Sequence, residues 1–249
     1  HIERHKTINR YVKAKFKLLK NQSKGNSAFI KKNDMLTLKE LKLNKYSSEI
    51  IKVNTQKNQS LLKQIDNNYF LTETNRENLS FLLEISKKFN LKKNLLIKTV
   101  ENFKGLKFRQ QIIFKNKYIS IINDSKSTSF SSSIGVLKVN PNIHWLLGGI
   151  NKKGDKFNLQ KKYFKNINAY IYGKNKIFFQ KKLKGKIKFE NFSNLRDALK
   201  KVFVIIKKKN LTHQTILFSP CAASFDCFKN FEDRGYYFNS LIKKHLNGI

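Results

Sequence analysis

The sequence is poor in two residues that usually shape small or extracellular proteins, since it has only two cysteines and two prolines in 249 residues. The cysteines, Cys221 and Cys227, lie on either side of a predicted turn, and neither has a His or Cys at metal-ligand spacing. This pattern excludes a disulfide-stapled scaffold and a cysteine-based zinc site. We expect reduced, packed thiols.

Long hydrophobic runs are also missing. No uninterrupted apolar segment approaches the roughly 20 residues that a helix needs to cross a bilayer. We therefore predict a soluble cytoplasmic protein without stable membrane insertion. The hydrophobic content of 40% can still build substantial cores, and the length suits one large or two ordinary domains.

Acidic residues are scarce: 16 Asp and Glu face 52 Lys and Arg, for a formal net charge of +36. Such a charge can indicate a nucleic-acid-binding module, which remains an alternative. Arginine, however, occurs at only six positions, although its planar fork suits the reading of bases and phosphates. The lysines are spread along the whole chain together with abundant Asn, Ile and Phe, as A/T-rich codons would produce. We predict no nucleic-acid partner.

The first part of the chain has mainly helical patterns. Asn9 to Lys20 has apolar residues at helical spacing, and a second helix is predicted from Asn75, with Thr74 as its cap and Glu77 completing a capping box. A further helix is predicted from Lys92 to Phe103. Residues 26–68 look irregular, apart from strand-like pieces such as 48–53. Gly105 marks the expected domain boundary.

Beyond Gly105, predicted strands and helices alternate, which is typical of a mostly parallel sheet covered on both faces. We therefore predict an α/β fold with a Rossmann-like domain over residues 105–249. The predicted strands are 109–114, 118–123, 144–147, 169–172 and 215–218, and the predicted helices are 129–139, 159–165, 194–207 and 228–246.

Polar clusters follow three of these strands: residues 123–128 (NDSKST), 148–155 (GGINKKGD) and 219–235 (SPCAASFDCFKNFEDRG). All three should open at the carboxyl edge of one parallel sheet, where open α/β folds bind ligands. The side chains that could meet there are a carboxylate, two lysines and two hydroxyls: Asp124, Lys126, Lys152, Thr128 and Ser224. Together they suit an anionic substrate and a phosphoryl group, although each cluster alone fits an ordinary turn.

The same segments resemble a known family. The third cluster is similar to the SPACASFDQFKNFExRG signature of the Mur ligases, in the branch that adds D-glutamate, while the first resembles NDSKAT and the second LLGGxxKGxDF. Residues 105–109 (GLKFR) resemble the family's GLPHR, residues 75–78 (NREN) its HNxxN, and residues 1–15 its DHxDRH…Y…AK stretch. These six matches are collinear and cover nearly the whole chain.

The resemblance implies an α/β ATPase central domain, of which residues 1–104 would be the back part, followed by a complete C-terminal domain at 105–249. It implies ATP-dependent formation of an amide between D-glutamate and UDP-N-acetylmuramoyl-L-alanine through an acyl phosphate, in peptidoglycan precursor synthesis. ATP and Mg²⁺ are the implied cofactors, and a monomer is expected. A related Mur or folylpolyglutamate-type amide ligase is the enzymatic alternative.

Roles for individual residues also follow from the resemblance. His1 and Lys15 match magnesium-site positions, Lys15 if carbamylated, with Lys13 as an alternative because the spacing is one residue short. Asn75, Asn78, Arg109 and Asp124 match nucleotide contacts, and the D-glutamate pocket matches Lys126, Thr128, Lys152, Ser224 and Phe231. Lys15 and Lys126 are the implied catalytic residues. Without the resemblance, His1 and Lys15 would be surface residues, Asn75 and Asn78 helix-start residues, and Phe231 part of a core.

One family element is missing from these residues. No GxxxxGK[ST] phosphate-binding loop occurs in the sequence. Since the chain also begins with His, we expect it to be a fragment that lacks the domain for the UDP group and is inactive alone.

Overall fold

The computed structural model describes residues 2–56, 64–208 and 212–246. Its contacts divide the chain into two compact units, His1–Asn102 and Phe103–Ile249. The assignment of residues 1–104 and 105–249 to particular Mur ligase domains stays a prediction.

The first unit combines helices with a small parallel sheet. Its strands, β1 (Ser27–Lys31) and β2 (Glu49–Val53), pair in parallel from Ser27 with Glu49 to Lys31 with Val53. Its α-helices are α1 (Ile2–His5), α2 (Ile8–Lys20), α3 (Met35–Leu43), α4 (Glu73–Lys88) and α5 (Lys93–Glu101), with a 3-10 helix at Asn68–Leu71. The description of residues 26–68 as irregular was therefore wrong for β1 and α3, whose charged and polar residues hide their periodicity.

Helix α4 begins earlier than its sequence pattern indicated. Thr72, not Thr74, is the N-cap: it has an extended backbone, and its hydroxyl accepts a hydrogen bond from Asn75 N at 3.4 Å. Leu79 and Leu83 on the same helix are buried, and Leu79 packs with Ile65 and Val100. Both leucines thus lie on the buried side of the helix, whereas the predicted cap was wrong.

The second unit contains a six-stranded sheet. Its strands are β3 (Gln111–Lys115), β4 (Ile119–Asn123), β5 (Ile143–Gly148), β6 (Ile167–Tyr172), β7 (Lys188–Phe192) and β8 (Gln214–Phe218). The spatial order is β3-β4-β8-β5-β6-β7, and every neighbouring pair is parallel except β3 with β4. The predicted α/β fold with a mostly parallel sheet is confirmed.

Within the described residues, three α-helices lie between these strands and a fourth follows β8. They are α6 (Phe130–Val139), α7 (Lys176–Leu183), α8 (Leu195–Lys208) and α9 (Phe231–Leu246). The helix predicted at 159–165 is a 3-10 helix at Lys161–Asn166, and the one predicted from residue 228 begins at Phe231. Helix α7 and strand β7 were not predicted, because lysines interrupt their apolar pattern.

Two apolar cores cover the two faces of this sheet. On one face Trp145 packs with Phe130 of α6 and Phe179 of α7, and on the other Phe218 packs with residues of α8 and with Phe238 of α9. Both faces are therefore shielded, as parallel sheets require. Within the described residues, no helix combines the length and apolar character needed to cross a bilayer.

Candidate active site

Three loops leave adjacent strands at the carboxyl edge of the six-stranded sheet, because β4, β8 and β5 are neighbours and parallel. Backbone hydrogen bonds join the loops sideways. Asp124 N donates to Phe218 O at 2.7 Å, and Gly148 N donates to Pro220 O at 3.1 Å. Ile150 and Ala223 exchange two further bonds of 3.0 and 2.9 Å. The expected convergence of the three polar clusters is confirmed.

Asp124 lies in the middle of this junction and is only 3% exposed. Its Oδ2 accepts a hydrogen bond from the Ser219 hydroxyl at 2.6 Å, and its Oδ1 accepts one from Gln110 N at 3.1 Å. Burial raises the pKa of Asp124 to about 7, against the opposing effect of these hydrogen bonds and of the Arg109 and Arg234 charges. Asp124 thus connects the segment after β4 to the end of β8 and to the residues before β3. Arg109 is exposed and acts on Asp124 only through its positive charge.

Lys126 projects from the first loop and is exposed. Its backbone N donates to Phe108 O at 2.9 Å, which fixes the loop, and its Nζ lies 3.5 Å from the centre of the Phe231 ring. A lysine ammonium so close to an aromatic face is attracted to the ring's negative quadrupole. The structure therefore brings Lys126 and Phe231 together.

The other predicted pocket residues lie on the same three loops. Ser224 is buried, and its carbonyl accepts bonds from Cys227 N at 3.2 Å and Phe228 N at 3.0 Å, which form a tight turn. Thr128 and Lys152 are half-buried. The loop that carries Lys152 is anchored to the start of α6, because Asp155 Oδ2 accepts a hydrogen bond from Phe130 N at 2.8 Å.

A buried cluster of hydroxyls and one thiol lies beneath the loops. Ser133 Oγ is 2.5 Å from Ser219 Oγ and 2.8 Å from Cys221 Sγ, and Ser127 Oγ is 2.7 Å from Ser133 Oγ. Burial raises the pKa of the Cys221 thiol, so it stays protonated and serves as a packed hydrogen-bonding group. The cluster links α6 to the loops after β4 and β8.

Sequence reasoning missed Arg234, on the first turn of α9. Its side chain is buried with 1% exposed. Nε donates to Ser125 Oγ at 3.1 Å, and Nη2 donates to Ser125 O at 2.7 Å and to Ala222 O at 3.0 Å. The available signal was an isolated arginine in the FEDRG segment of an otherwise lysine-rich chain.

The predicted residues of the first unit have different environments from one another. Lys15 is exposed on α2, with its Nζ 5.6 Å from the centre of the Tyr11 ring. Asn75 is 2% exposed, and its Nδ2 donates to Tyr69 O at 2.7 Å, whereas Asn78 is exposed. His1 lies outside the described residues.

Magnesium is the implied metal, and it prefers oxygen donors such as carboxylates. Within residues 2–56, 64–208 and 212–246, no three His, Cys, Asp or Glu side chains converge in a way that could hold a metal ion. The implied ligands His1 and Lys15 are not tested by this result, because His1 lies outside the described residues and Lys15 would bind only as a carbamate.

Comparison with known proteins adds a family to this geometry. The Mur ligase middle domain family matches residues 1–100. The chain is 29% identical to the UDP-N-acetylmuramoylalanine–D-glutamate ligase of Rickettsia felis, over 100% of this chain and 59% of the relative. It is 31% identical to the enzyme of that name from Francisella tularensis, over 97% of this chain and 56% of the relative. The chain thus spans little more than half the length of these curated relatives.

Solved structures agree with the fold. A crystal structure of MurF from Acinetobacter baumannii aligns with a TM-score of 0.50 at 18% identity, covering 69% of this chain and 38% of that one. This similarity concerns architecture alone. The Mur ligase middle domain family matches residues 1–100, and the curated relatives align with nearly the whole chain, so the chain is similar to part of a Mur ligase.

Proposed function

We propose that this chain is part of an ATP-dependent ligase that adds D-glutamate to UDP-N-acetylmuramoyl-L-alanine in peptidoglycan precursor synthesis. The observation that carries the proposal is the junction of three loops from adjacent parallel strands, which holds Lys126, Lys152 and Ser224 on one edge of the sheet. The relatives that match the chain end to end are named for this reaction, which supports it.

The second unit would bind the amino acid. A dicarboxylate needs positive charge and directional hydrogen-bond donors, and Lys126, Lys152, Thr128 and Ser224 supply both. The Phe231 ring beneath Lys126 Nζ would help to hold that ammonium in place when the substrate is absent. Net charge alone would not select a dicarboxylate, since most of the chain's lysines lie elsewhere.

ATP is the proposed nucleotide. Asn78 and Arg109 are exposed and can reach a ligand, Arg109 through paired hydrogen bonds to phosphate. Asp124 and Asn75 are buried and hydrogen-bonded within the protein. We propose that Asp124 contacts ribose hydroxyls only through the small part of its side chain that is exposed. Asn75 would act mainly by fixing the start of helix α4.

The reaction needs an activated acid, because a carboxylate is a poor electrophile. Transfer of the γ-phosphoryl group of ATP to the carboxylate of UDP-N-acetylmuramoyl-L-alanine would give an acyl phosphate and release ADP. The D-glutamate amine then attacks the carbonyl carbon, the C–N bond forms, the C–O bond to phosphate breaks, and the amine loses a proton. Lys126 would hold the amino acid and balance negative charge during this step.

Magnesium would neutralise charge on the phosphates. The proposed ligands are His1 and Lys15, the latter as a carbamate, which requires that its amine first lose a proton. The proposal also includes a cytoplasmic location, consistent with the free thiols of Cys221 and Cys227, and a monomeric enzyme.

The test measures ATP-dependent incorporation of D-glutamate into UDP-N-acetylmuramoyl-L-alanine by the full-length protein. Lys152→Ala should lower kcat/KM for D-glutamate by about 100-fold, since a lost charged hydrogen bond costs on the order of 2–3 kcal/mol. Lys153→Ala, which removes the exposed neighbouring charge, is the matched control and should change it less than about twofold.

Two results would contradict the proposal. Incorporation of L-glutamate into a folate, or of another amino acid into a longer muropeptide, in preference to D-glutamate would keep the family and refute the substrate. Equal effects of Lys152→Ala and Lys153→Ala would remove Lys152 from the amino-acid pocket.

A further inference from the structure

Arg234 is a buried cation that no carboxylate of the described residues contacts directly, although the charges of Asp226 and Asp124 act on it from farther away. In the described part of the chain no carboxylate oxygen lies within 4.0 Å of its guanidinium, and its three hydrogen bonds go to neutral oxygens of Ser125 and Ala222. Removing an unpaired cation from water costs several kcal/mol even after relaxation. Leucine or methionine would fill such a position without that cost, so stability alone does not explain an arginine here.

The acceptors of Arg234 lie on two of the three loops that form the candidate site. Ser125 directly precedes Lys126, and Ala222 precedes Ser224 by two residues. The third loop is close as well, since Arg234 Nη1 lies 3.3 Å from where a Cβ would sit on Gly149. One side chain therefore contacts two loops through hydrogen bonds and lies against the third.

The helix turn that carries Arg234 is held on both sides. Ser125 Oγ donates to Phe231 O at 2.8 Å, and Asn123 Nδ2 donates to Gly235 O at 3.0 Å. Gly235 also lies directly against Phe108, whose ring would overlap any Cβ added there. The first turn of α9 therefore holds the Arg234 side chain in a fixed position. The loops that bind the guanidinium are positioned relative to this turn.

We propose that Arg234 is a positioning residue that holds the loops of Lys126 and Ser224 at the spacing required by the amino-acid substrate. Being 1% exposed, it acts through these residues and does not touch the substrate itself. This inference rests on the proposed function for the identity of the substrate.

Arginine suits this task better than lysine. Its planar fork directs donors to separate acceptors at once, while a lysine ammonium keeps the charge without the fork. Arg234→Lys therefore removes the hydrogen bonds that link the two loops and retains the positive charge. Arg196→Lys, at an exposed position on α8, is the matched control.

The experiment uses the full-length protein and two measurements. Arg234→Lys should raise KM for D-glutamate at least 10-fold, with KM for ATP within twofold and kcat within threefold, whereas Arg196→Lys should change none of them. Amide hydrogen exchange should increase in residues 125–128 and 222–228 of Arg234→Lys and remain unchanged in residues 195–207. If Arg234→Lys does not fold, Ser125→Ala, which removes one acceptor, should raise KM for D-glutamate three- to fivefold.

The results separate the two proposals. An inactive wild-type enzyme with D-glutamate would refute the proposed function, while the exchange measurement would still test whether Arg234 positions the loops. Unchanged exchange in both segments, or equal losses for ATP and D-glutamate in Arg234→Lys, would overturn the positioning role.

Discussion

The two edges of the six-stranded sheet both bury polar side chains, but they satisfy them differently. At the amino edge, His144 Nε2 donates to Gln214 Oε1 at 3.1 Å, and its Nδ1 accepts from the Tyr170 hydroxyl at 2.9 Å. Gln214 Nε2 in turn donates to the carbonyl and hydroxyl of Thr212. Each member of this chain has a partner inside the protein.

The carboxyl edge leaves polar groups unsatisfied. Arg234 Nη1 and the Tyr172 hydroxyl are buried and have no hydrogen-bond partner in the described residues, and burial raises the pKa of Asp124 to about 7. Leaving a buried polar group without a hydrogen-bond partner is energetically costly. The network around His144 is thus closed, whereas the carboxyl edge, with the unpaired Arg234 Nη1 and Tyr172 hydroxyl, is open. Among the described residues, Thr215 Oγ1 near the amino edge also lacks a partner.

The largest expected effect comes from a side chain added within the open edge. Gly149 has a φ of +124°, and a Cβ there would lie 2.5 Å from Ala223 O. Gly149→Ala should therefore push the two loops apart, lower the free energy of unfolding by about 4 kcal/mol, and abolish ligation. Urea unfolding and the ligation assay measure both effects.

Gly154→Ala is the matched control, because Gly154 also has a positive φ, +76°, but no atom within 4 Å of the added Cβ. The free energy of unfolding of this variant should fall by only about 1 kcal/mol, through backbone strain. Similar losses for both variants would mean that strain, not the contact between loops, dominates at Gly149.

Breaking the closed network should affect stability alone. His144→Ala leaves the Tyr170 hydroxyl and Gln214 Oε1 without this partner and creates a cavity, so the free energy of unfolding should fall by about 2–3 kcal/mol. The KM for D-glutamate of the folded enzyme should stay within twofold of wild type. A selective rise in that KM would show that the amino edge also influences the substrate pocket.

Asp124 should make stability depend on pH. Its folded pKa of about 7 is above the unfolded value near 4, so the folded state binds the proton more tightly. The stabilisation is complete below pH 4 and is lost as pH rises to 7, by roughly 2 kcal/mol between pH 5 and pH 7. Asp124→Asn removes this contribution.

The measurement compares the Tm of Asp124→Asn with that of wild type from pH 5 to pH 8. The difference should move in favour of the variant as pH rises and become constant above pH 7. A difference that is independent of pH would show that Asp124 is ionised throughout.

The smallest expected effect concerns the two thiols. Cys227 is exposed and Cys221 is fully buried. Iodoacetamide should label only Cys227 in the folded protein, and faster at alkaline pH, since burial and the Asp226 charge raise the pKa of Cys227. Peptide mapping identifies which cysteine carries the label. Cys227→Ser, which removes the exposed thiol, is the control. Labelling of Cys221 before unfolding would show that the cluster beneath the loops opens.

The strands of the second unit could be predicted to within a few residues because β4, β5, β6 and β8 are short, strongly apolar runs. Strand β7 and helix α7 could not, since lysines occupy their exposed positions and mask the period. The cap of α4 was misplaced because Thr72 and Thr74 are equally good caps by type, and only tertiary packing buries Thr72.

The candidate site shows the same limit. Motifs at the ends of three strands predicted which loops meet, because parallel strands direct their carboxyl ends to one edge. They did not distinguish buried Asn75 from exposed Asn78, or indicate that Arg234 would be enclosed. Burial depends on what packs against a residue from distant parts of the chain.

By itself, the sequence determined the fold class, the family resemblance and the loops that carry polar chemistry, since these depend on local periodicity and on short motifs. Only the tertiary structure decided which polar groups are satisfied inside the protein and which remain unpaired. The physical reason is that a hydrogen-bond partner such as Ser219 for Asp124, or Ala222 for Arg234, is selected by chain folding in three dimensions and not by sequence spacing.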